Sequence, residues 1–311
     1  MKSDVPSVLN QGWPVRFLES PMLAYNSGSA DMHRFCSRRW NEKAGVSELI
    51  WQHRNGNGCK LEPGEALNFG KAPGAGSGNI HREDGRVFFH DGDYYVAYTE
   101  GHYDRTPFLA MQALTKLHQN WQPGWVLRPS FGKNGSRSEK NWALFSYKSK
   151  LCFVYSIVPH VVAAVEDTVD DARFSIWHTE AKLHWPWGVL RGGTPPLRLD
   201  EDRFVSFFHS FTIHAKRNRR YTLCAYTFES KPPFRMLQIP APLLKASEAD
   251  PTWPHPGHPA WKPIVVFPCG AAFQVPGAKC QVPGAILVSL GVNDSYDALL
   301  EVPVKRLEAE L

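Results

Sequence analysis

Short runs of alternating aromatic, β-branched and polar residues recur along the chain, and glycine- or proline-bearing connections separate them. Asp91-Gly92 supplies the positive φ angles of a two-residue turn, so Val87 to Phe89 and Tyr94 to Thr99 read as a paired hairpin. Similar units follow. Trp142 to Phe145 precedes Leu151 to Ile157; Pro195 to Leu199 precedes Phe204 to Phe208 and Tyr221 to Phe228; Ile264 to Phe267 precedes Ile286 to Leu290 and Ala298 to Val302. Asp84, Asn141, Gly193 and Phe267 mark corresponding points roughly 50 to 75 residues apart, a spacing that suits four-stranded blades.

A strand-like start over Val15 to Trp40, with Ser20 to Ala30 as a polar connection, adds an N-terminal unit. The expected fold is therefore all-β, a five-bladed β-propeller. It forms a single domain over residues 1–311, with a loose N-terminal segment of about residues 1–14. Periodicity leaves a sandwich or jelly roll open as the structural alternative. No helix of ordinary length is expected before residue 100, Gln52 to Gly78 reads mostly as loop, and the tail from Lys305 to Leu311 is helical or frayed. Pro251 to Pro263 reads as a surface connection carrying Trp261 against the next blade.

Composition sharpens this only in part. At 311 residues, length does not demand two domains, and 25 prolines with 24 glycines supply turns and disfavour long helices. A net charge of +5 and a pI near 8.8 come from basic residues spread without a block of five like charges. That excess suits an anionic small ligand and equally suits none; nucleic acid is not the expected partner. Met1 to Pro6 has no apolar leader, and no run approaches membrane-spanning length, so the expected location is cytoplasmic. The six cysteines fall singly, and Cys152 and Cys224 read as small buried hydrophobes rather than as parts of a disulfide or metal framework.

The chemistry concentrates just before the first hairpin. His81, Arg82, Glu83, Asp84 and Arg86 crowd five ionisable groups into six positions where a strand begins. On pattern alone this is a solvated strand end whose charges neutralise one another; the sharper reading is a carboxyl held among cations at the mouth of a sheet. Glu83-Asp84-Gly85-Arg86-Val87, followed by a Tyr94-Tyr95 strand, resembles the Glu-Asp-Pro-Arg motif of glycoside hydrolase family 130, the β-mannoside phosphorylases and hydrolases. Lys140-Asn141-Trp142-Ala143-Leu144-Phe145, Trp187 to Pro196, Phe207 to Ser210, Tyr221 to Pro233, Val265 to Gly270 and Gly291 to Ser295 are similar to further segments of that family, in the same order.

The resemblance implies a propeller with its site at the central channel and Asp84 as the general acid. It also implies that His209 binds phosphate, and that Arg191, beside the position of a family lysine, and Lys140 contact phosphate or substrate. Arg82, Glu83, Arg86, Arg39, Asn141, His160 and Asp294 complete the candidate binding set. Two departures stand out. Gly85 replaces the proline, and Tyr155 to His160 replaces the family's His-Arg phosphate pair.

The implied activity is inverting transfer or cleavage at β-mannoside-like bonds, with phosphate or water as the attacking group. For water, Glu100, Glu139 and Asp294 are the candidate second carboxylates. A glycosyltransferase using an activated sugar donor is one alternative, and a non-catalytic propeller that binds glycans or proteins is another. Expected partners are a mono- or oligosaccharide, a sugar phosphate or a nucleotide sugar. No cofactor is expected beyond inorganic phosphate as a co-substrate, no metal is expected, and homo-oligomerisation is left open.

Overall fold

The computed structural model describes residues 7–8, 14–18, 20, 24–55, 59–69, 80–102, 109–127, 140–165, 174–179, 185–213, 219–238, 242–245, 265–274 and 284–310. They form five antiparallel sheets arranged as the blades of a propeller, the all-β fold that the strand pattern implied. Strands β1 (Ser7–Val8) and β2 (Pro14–Leu18) belong to the last blade and are taken up with it. Blade 1 holds β3 (Tyr25–Gly28), β4 (Arg34–Asn41), β5 (Val46–His53) and β6 (Glu65–Ala66), listed from the axis outward. Blade 2 holds β7 (His81–His90), β8 (Asp93–His102), β9 (Leu109–Leu117) and β10 (Pro123–Leu127). Blade 3 holds β11 (Ala143–Tyr147), β12 (Lys150–Ser156), β13 (His160–Val165) and β14 (Phe174–Thr179).

Blade 4 breaks its inner and outer positions into pairs of short strands. Strands β15 (Val189–Arg191) and β16 (Leu197–Arg198) both pair with β17 (Arg203–Ile213); β19 (Met236–Gln238) and β20 (Leu244–Lys245) both pair with β18 (Arg219–Glu229). Blade 5 runs from β21 (Val266–Phe273) through β22 (Ala285–Val292) and β23 (Tyr296–Pro303) to β2 and β1. The N-terminal strands thus complete the last blade, with β23 paired to β22 on one side and to β2 on the other. Helix α1 (Val304–Glu310) follows and buries Leu307.

The apolar core lies between the blades. Phe35, Leu61 and Met32 of blade 1 meet Leu287 and Leu299 of blade 5, while Cys36, Leu49 and Trp51 meet Val87, Val96 and Tyr98 of blade 2. Trp142 to Phe145 of blade 3 pack with Phe88 and Tyr95 on one side and with Phe204, Phe228 and Phe234 on the other. Val205, Phe207 and Leu223 meet Ile286 and Val288 at the remaining junction. Period-two strands feed both faces of each blade into such seams, which leaves polar residues for the axis and the rim.

Some boundaries differ from the sequence expectation. Strand β7 begins at His81, because the charged residues before Val87 pair in register with β8, Arg82 opposite Glu100. Gln52 and His53 finish β5, and Glu65–Ala66 forms an edge strand within the stretch read as loop. Ser7–Val8 pairs with Val15 and Pro14 inside the segment read as loose. The Pro251 to Pro263 connection and Trp261 lie outside the described residues. Among the described residues no helix is long and apolar enough to cross a membrane.

Candidate functional site

Asp84 owes its position to an irregularity in the innermost strand of blade 2. The β7–β8 register shifts between Glu83 and Arg86, so β7 carries one extra residue, and Asp84 adopts a left-handed backbone (φ 57°). A bulge of this kind re-aims one side chain, and aspartate is among the few residues that tolerate the conformation. The carboxyl turns into the axial cavity. Gly85, next in the bulge, fits because it lacks a side chain: a Cβ there would stand 2.6 Å from Cys36 Sγ.

The cavity encloses about 520 Å³ on the axis, and all five blades line it. Asn26 of blade 1 donates from Nδ2 to Asp84 Oδ1 at 3.4 Å and to Asp294 Oδ1 at 3.1 Å, so one amide ties the carboxyls of blades 2 and 5 together. Asn26, Asn141 and Asp294 share the left-handed backbone of Asp84, with φ of 53°, 66° and 48°. Four such residues around one cavity fit the tendency of strained backbone to gather at sites. Behind Asn26, the buried Asp297 carboxylate accepts from Ser27 N–H at 2.9 Å and from Ser27 Oγ. Burial raises Asp297 to about pH 7, and the Ser27 and Asn26 hydrogen bonds oppose that rise.

Blades 3 and 4 supply a cationic wall. Lys140 and Asn141 come from the segment leading into β11, Arg191 from β15, His209 from β17 and Arg219 from β18. Arg191 and His209 are register partners. Neither Arg191 nor Arg219 has a carboxylate partner among the described residues; the Arg219 guanidinium rests on the Phe211 ring at 4.9 Å. His209, only 4% exposed, stacks between Tyr221 and Phe267, and its Nδ1 has no hydrogen-bond partner among the described residues. Desolvation, then the positive charges of Arg86, Arg191 and Arg219, lower its pKa to about 3. A neutral imidazole with an idle nitrogen, set among cations, is arranged to meet an anion.

The structure thus brings together Asp84, Glu83, Lys140, Asn141, Arg191, His209 and Asp294 from the candidate set. Glu83 is held by Arg38 Nη2 at 2.8 Å, which commits it to an ion pair. The remaining candidates lie elsewhere. Arg86 is fully buried beneath the cavity, donating to Gly193 O at 2.7 Å, Asn141 Oδ1 at 2.9 Å and Asp84 O at 3.3 Å. It ties three blades together, and because it takes Asn141 Oδ1, the group Asn141 can offer a ligand is Nδ2. Arg82 pairs with Glu100 at 3.3 Å and stacks on Phe69, so neither it nor Glu100 faces the cavity.

Arg39 points to the other side of β4 from Arg38 and pairs with Glu48. His160 is a core residue: fully buried, bonded through Nδ1 to Phe234 O at 2.9 Å and packed against Tyr226 and Phe228. Glu139 lies outside the described residues. The sequence reading gave no site role to Asn26, Arg219, Tyr221, Phe211 or Phe267, all of which line the cavity. The basic run around Asn218 was the available signal for Arg219. Among the described residues, no group of three or more His, Cys, Asp or Glu is arranged to hold a metal ion.

No family model and no curated relative matches the chain. Solved structures of the same fold include a β-1,2-mannobiose phosphorylase from Listeria innocua in complex with β-1,2-mannobiose, at 15% identity and TM-score 0.61, covering 96% of this chain and 93% of that one. MPT-1, a GDP-Man-dependent mannosyltransferase from Leishmania mexicana, aligns at 12% identity and TM-score 0.58 over 93% of this chain and 89% of its own. MPT-4, a mannose phosphorylase from the same organism in complex with phosphate ion, aligns at 13% identity and TM-score 0.55 over 98% and 91%. The chain has the fold of these propeller enzymes, and the resemblance read from its motifs pointed to the same group.

Proposed function

We propose that residues 1–311 act as one propeller enzyme that transfers a mannosyl-like unit, with inversion, between a glycan hydroxyl and a phosphate group. The observation that carries the reading is that one cavity is lined by both the Asp84 carboxyl and the wall formed by Lys140, Arg191, His209 and Arg219. A phosphate dianion held on that wall attacks C1 of the sugar from one face. As the new C1–O bond forms, the bond to the glycan oxygen breaks, and Asp84 delivers a proton to the leaving oxygen, directly or through a substrate hydroxyl. The proton that phosphate loses on becoming an ester restores Asp84. Run backwards, the same groups make Asp84 the base that activates an acceptor toward a sugar phosphate or nucleotide sugar.

Water is the weaker choice of attacking group. Asp294, the candidate second carboxylate in the cavity, shares one amide nitrogen with Asp84. That arrangement leaves less room than the ~6.5–9.5 Å in which an inverting hydrolase holds its water. Among the solved structures with this fold, the two phosphorylases and the mannosyltransferase support the phosphate reading, while an endo-arabinase and a β-1,3-galactosidase share the fold as well.

The test offers β-mannosides with inorganic phosphate, and in reverse sugar 1-phosphates or nucleotide sugars with acceptors, to wild type and Asp84→Asn. Wild type is expected to form the inverted sugar phosphate, and the variant to lose about 10²–10⁴-fold in rate at an unchanged melting temperature. Equal rates would remove Asp84 from the chemistry. Glycan binding without turnover by wild type would make the protein a binding propeller.

A further inference from the structure

The cavity has two unlike ends. Blades 3 and 4 carry Lys140, Arg191 and Arg219, and in a five-membered ring the junction of those blades faces blade 1 across the axis. There, at the blade 1 and blade 2 junction, Arg38 of β4 pairs with Glu83 of β7 inside the cavity. Two residues after Arg38 on β4 and two before Glu83 on β7, on the same faces, stand Trp40 and His81, ring centroids 5.8 Å apart at 33°. Trp40 is 49% exposed although it is the largest side chain on that face. Ser47 N–H donates to His81 Nδ1 at 3.2 Å and fixes the imidazole under the indole. An indole open to solvent, two residues along its strand from the cavity-lining Arg38, is a stacking surface rather than core.

We infer that the Trp40–His81 ledge is the acceptor-side subsite, taking a pyranose ring of the glycan beyond the bond that Asp84 acts on. The inference rests on the inverting transfer proposed above, and its direction follows from that chemistry. Inversion requires the attacking phosphate and the leaving glycan oxygen to lie on opposite faces of C1. With phosphate on blades 3 and 4, the departing glycan extends toward blades 1 and 2. A pyranose presents its C–H face to the flat of the indole, while its hydroxyls stay at the edge, within reach of polar groups and water. The ledge selects for glycan length and leaves the bond-breaking step to the cavity.

The experiment measures binding and turnover of β-linked manno-oligosaccharides of increasing length, against inorganic phosphate as a control ligand, in wild type, Trp40→Ala and Trp40→Phe. Binding is read by calorimetry in an Asp84→Asn background, so that turnover does not interfere. Trp40→Ala is expected to weaken the longer glycans about tenfold, leave phosphate unchanged and flatten the preference for length, and Trp40→Phe is expected to restore most of it. Longer glycans bound equally well by wild type and Trp40→Ala would overturn the subsite, as would an equal loss for phosphate and glycan. The two readings fail separately. A Trp40-dependent length preference without turnover keeps the subsite and removes the reaction; turnover whose KM for long glycans ignores Trp40→Ala keeps the reaction and removes the subsite.

Discussion

His160 opens β13 of blade 3 with its Nδ1 on Phe234 O and its ring against Tyr226 and Phe228; His209, in β17 of blade 4, packs against Tyr221 and Phe267 with its Nδ1 unpartnered among the described residues, beside three arginines. Both are buried, and burial lowers both pKa values, to about 4 and about 3. Their neighbours differ. Aromatic rings and a carbonyl surround His160 as a core residue, and one buried ring nitrogen of each histidine lacks a hydrogen-bond partner among the described residues, so what sets His209 apart is the guanidinium charges around it. The comparison teaches that in a propeller the same residue type, at the same depth, belongs to the seam or to the site according to which side of its strand faces the axis.

The largest expected effects separate these two regions. His209→Ala should reduce phosphate-dependent kcat/KM by about 10²-fold, since it removes a partner of a dianion, and should change stability little. His160→Ala should do the reverse, costing about 2–4 kcal/mol of folding free energy as a cavity opens among Phe228, Tyr226 and Phe234, with kcat/KM within about twofold. Urea melts and initial rates on the two variants decide it; a kinetic defect in His160→Ala at full foldedness would place that residue at the site after all.

Acid stability gives the next effect in size. Each imidazole binds its proton more readily unfolded, near pH 6.5, than folded, so stability is intact above that value and falls as pH drops toward 4. For His160 the loss is at most about 3 kcal/mol. Asp297 acts with the opposite sign: raised to about 7 when folded, it favours the native state below its unfolded value near 3.8, and that contribution is lost as pH rises to about 7. His160→Gln, which keeps an amide to meet Phe234 O, should flatten the acid limb of the urea midpoint against pH. An unchanged limb would assign it to other groups.

The same contrast explains what the chain reveals before folding. The Asp91-Gly92 turn was legible because positive φ at both positions, 49° and 85°, is a local property, and the His90–Asp93 pairing follows from it. Blade number was legible because each seam needs its own aromatic and β-branched strands. Arg86 and His160 were assigned to the ligand on residue type and motif position, yet alternation along one strand cannot say which face meets the next blade and which meets the axis. Asn26 stayed unseen for a different reason. Its role depends on a left-handed turn and on Asp294, which lies on the far side of the sequence and is brought near only when the last blade closes on the first.

A smaller effect tests the bulge that aims Asp84. Gly85→Ala should cost about 1–3 kcal/mol, because the new Cβ meets Cys36 Sγ in a packed seam. Cys36→Ala removes that sulfur, so the double variant should recover part of the loss. A double-mutant cycle on urea stability measures the coupling, and purely additive losses would mean that the two residues do not share the space.

The smallest effect belongs to two neighbouring arginines on β4. Arg39 donates from Nε to Glu48 Oε1 at 2.8 Å on the outer side of the strand, and Asn41 Nδ2 already supports the other oxygen of Glu48 at 3.0 Å. Removing Arg39 leaves a carboxylate that keeps a donor and water, so Arg39→Ala should change stability by less than about 1 kcal/mol and leave KM for glycan and phosphate alone. Arg38, one residue away, faces the cavity and holds Glu83, which is 4% exposed. Its loss removes an ion-pair partner from a buried carboxylate beside Asp84, so Arg38→Ala should cost more in both stability and turnover. Steady-state kinetics on the pair make the comparison direct: equal kinetic defects would mean that alternation along β4 does not separate rim from cavity.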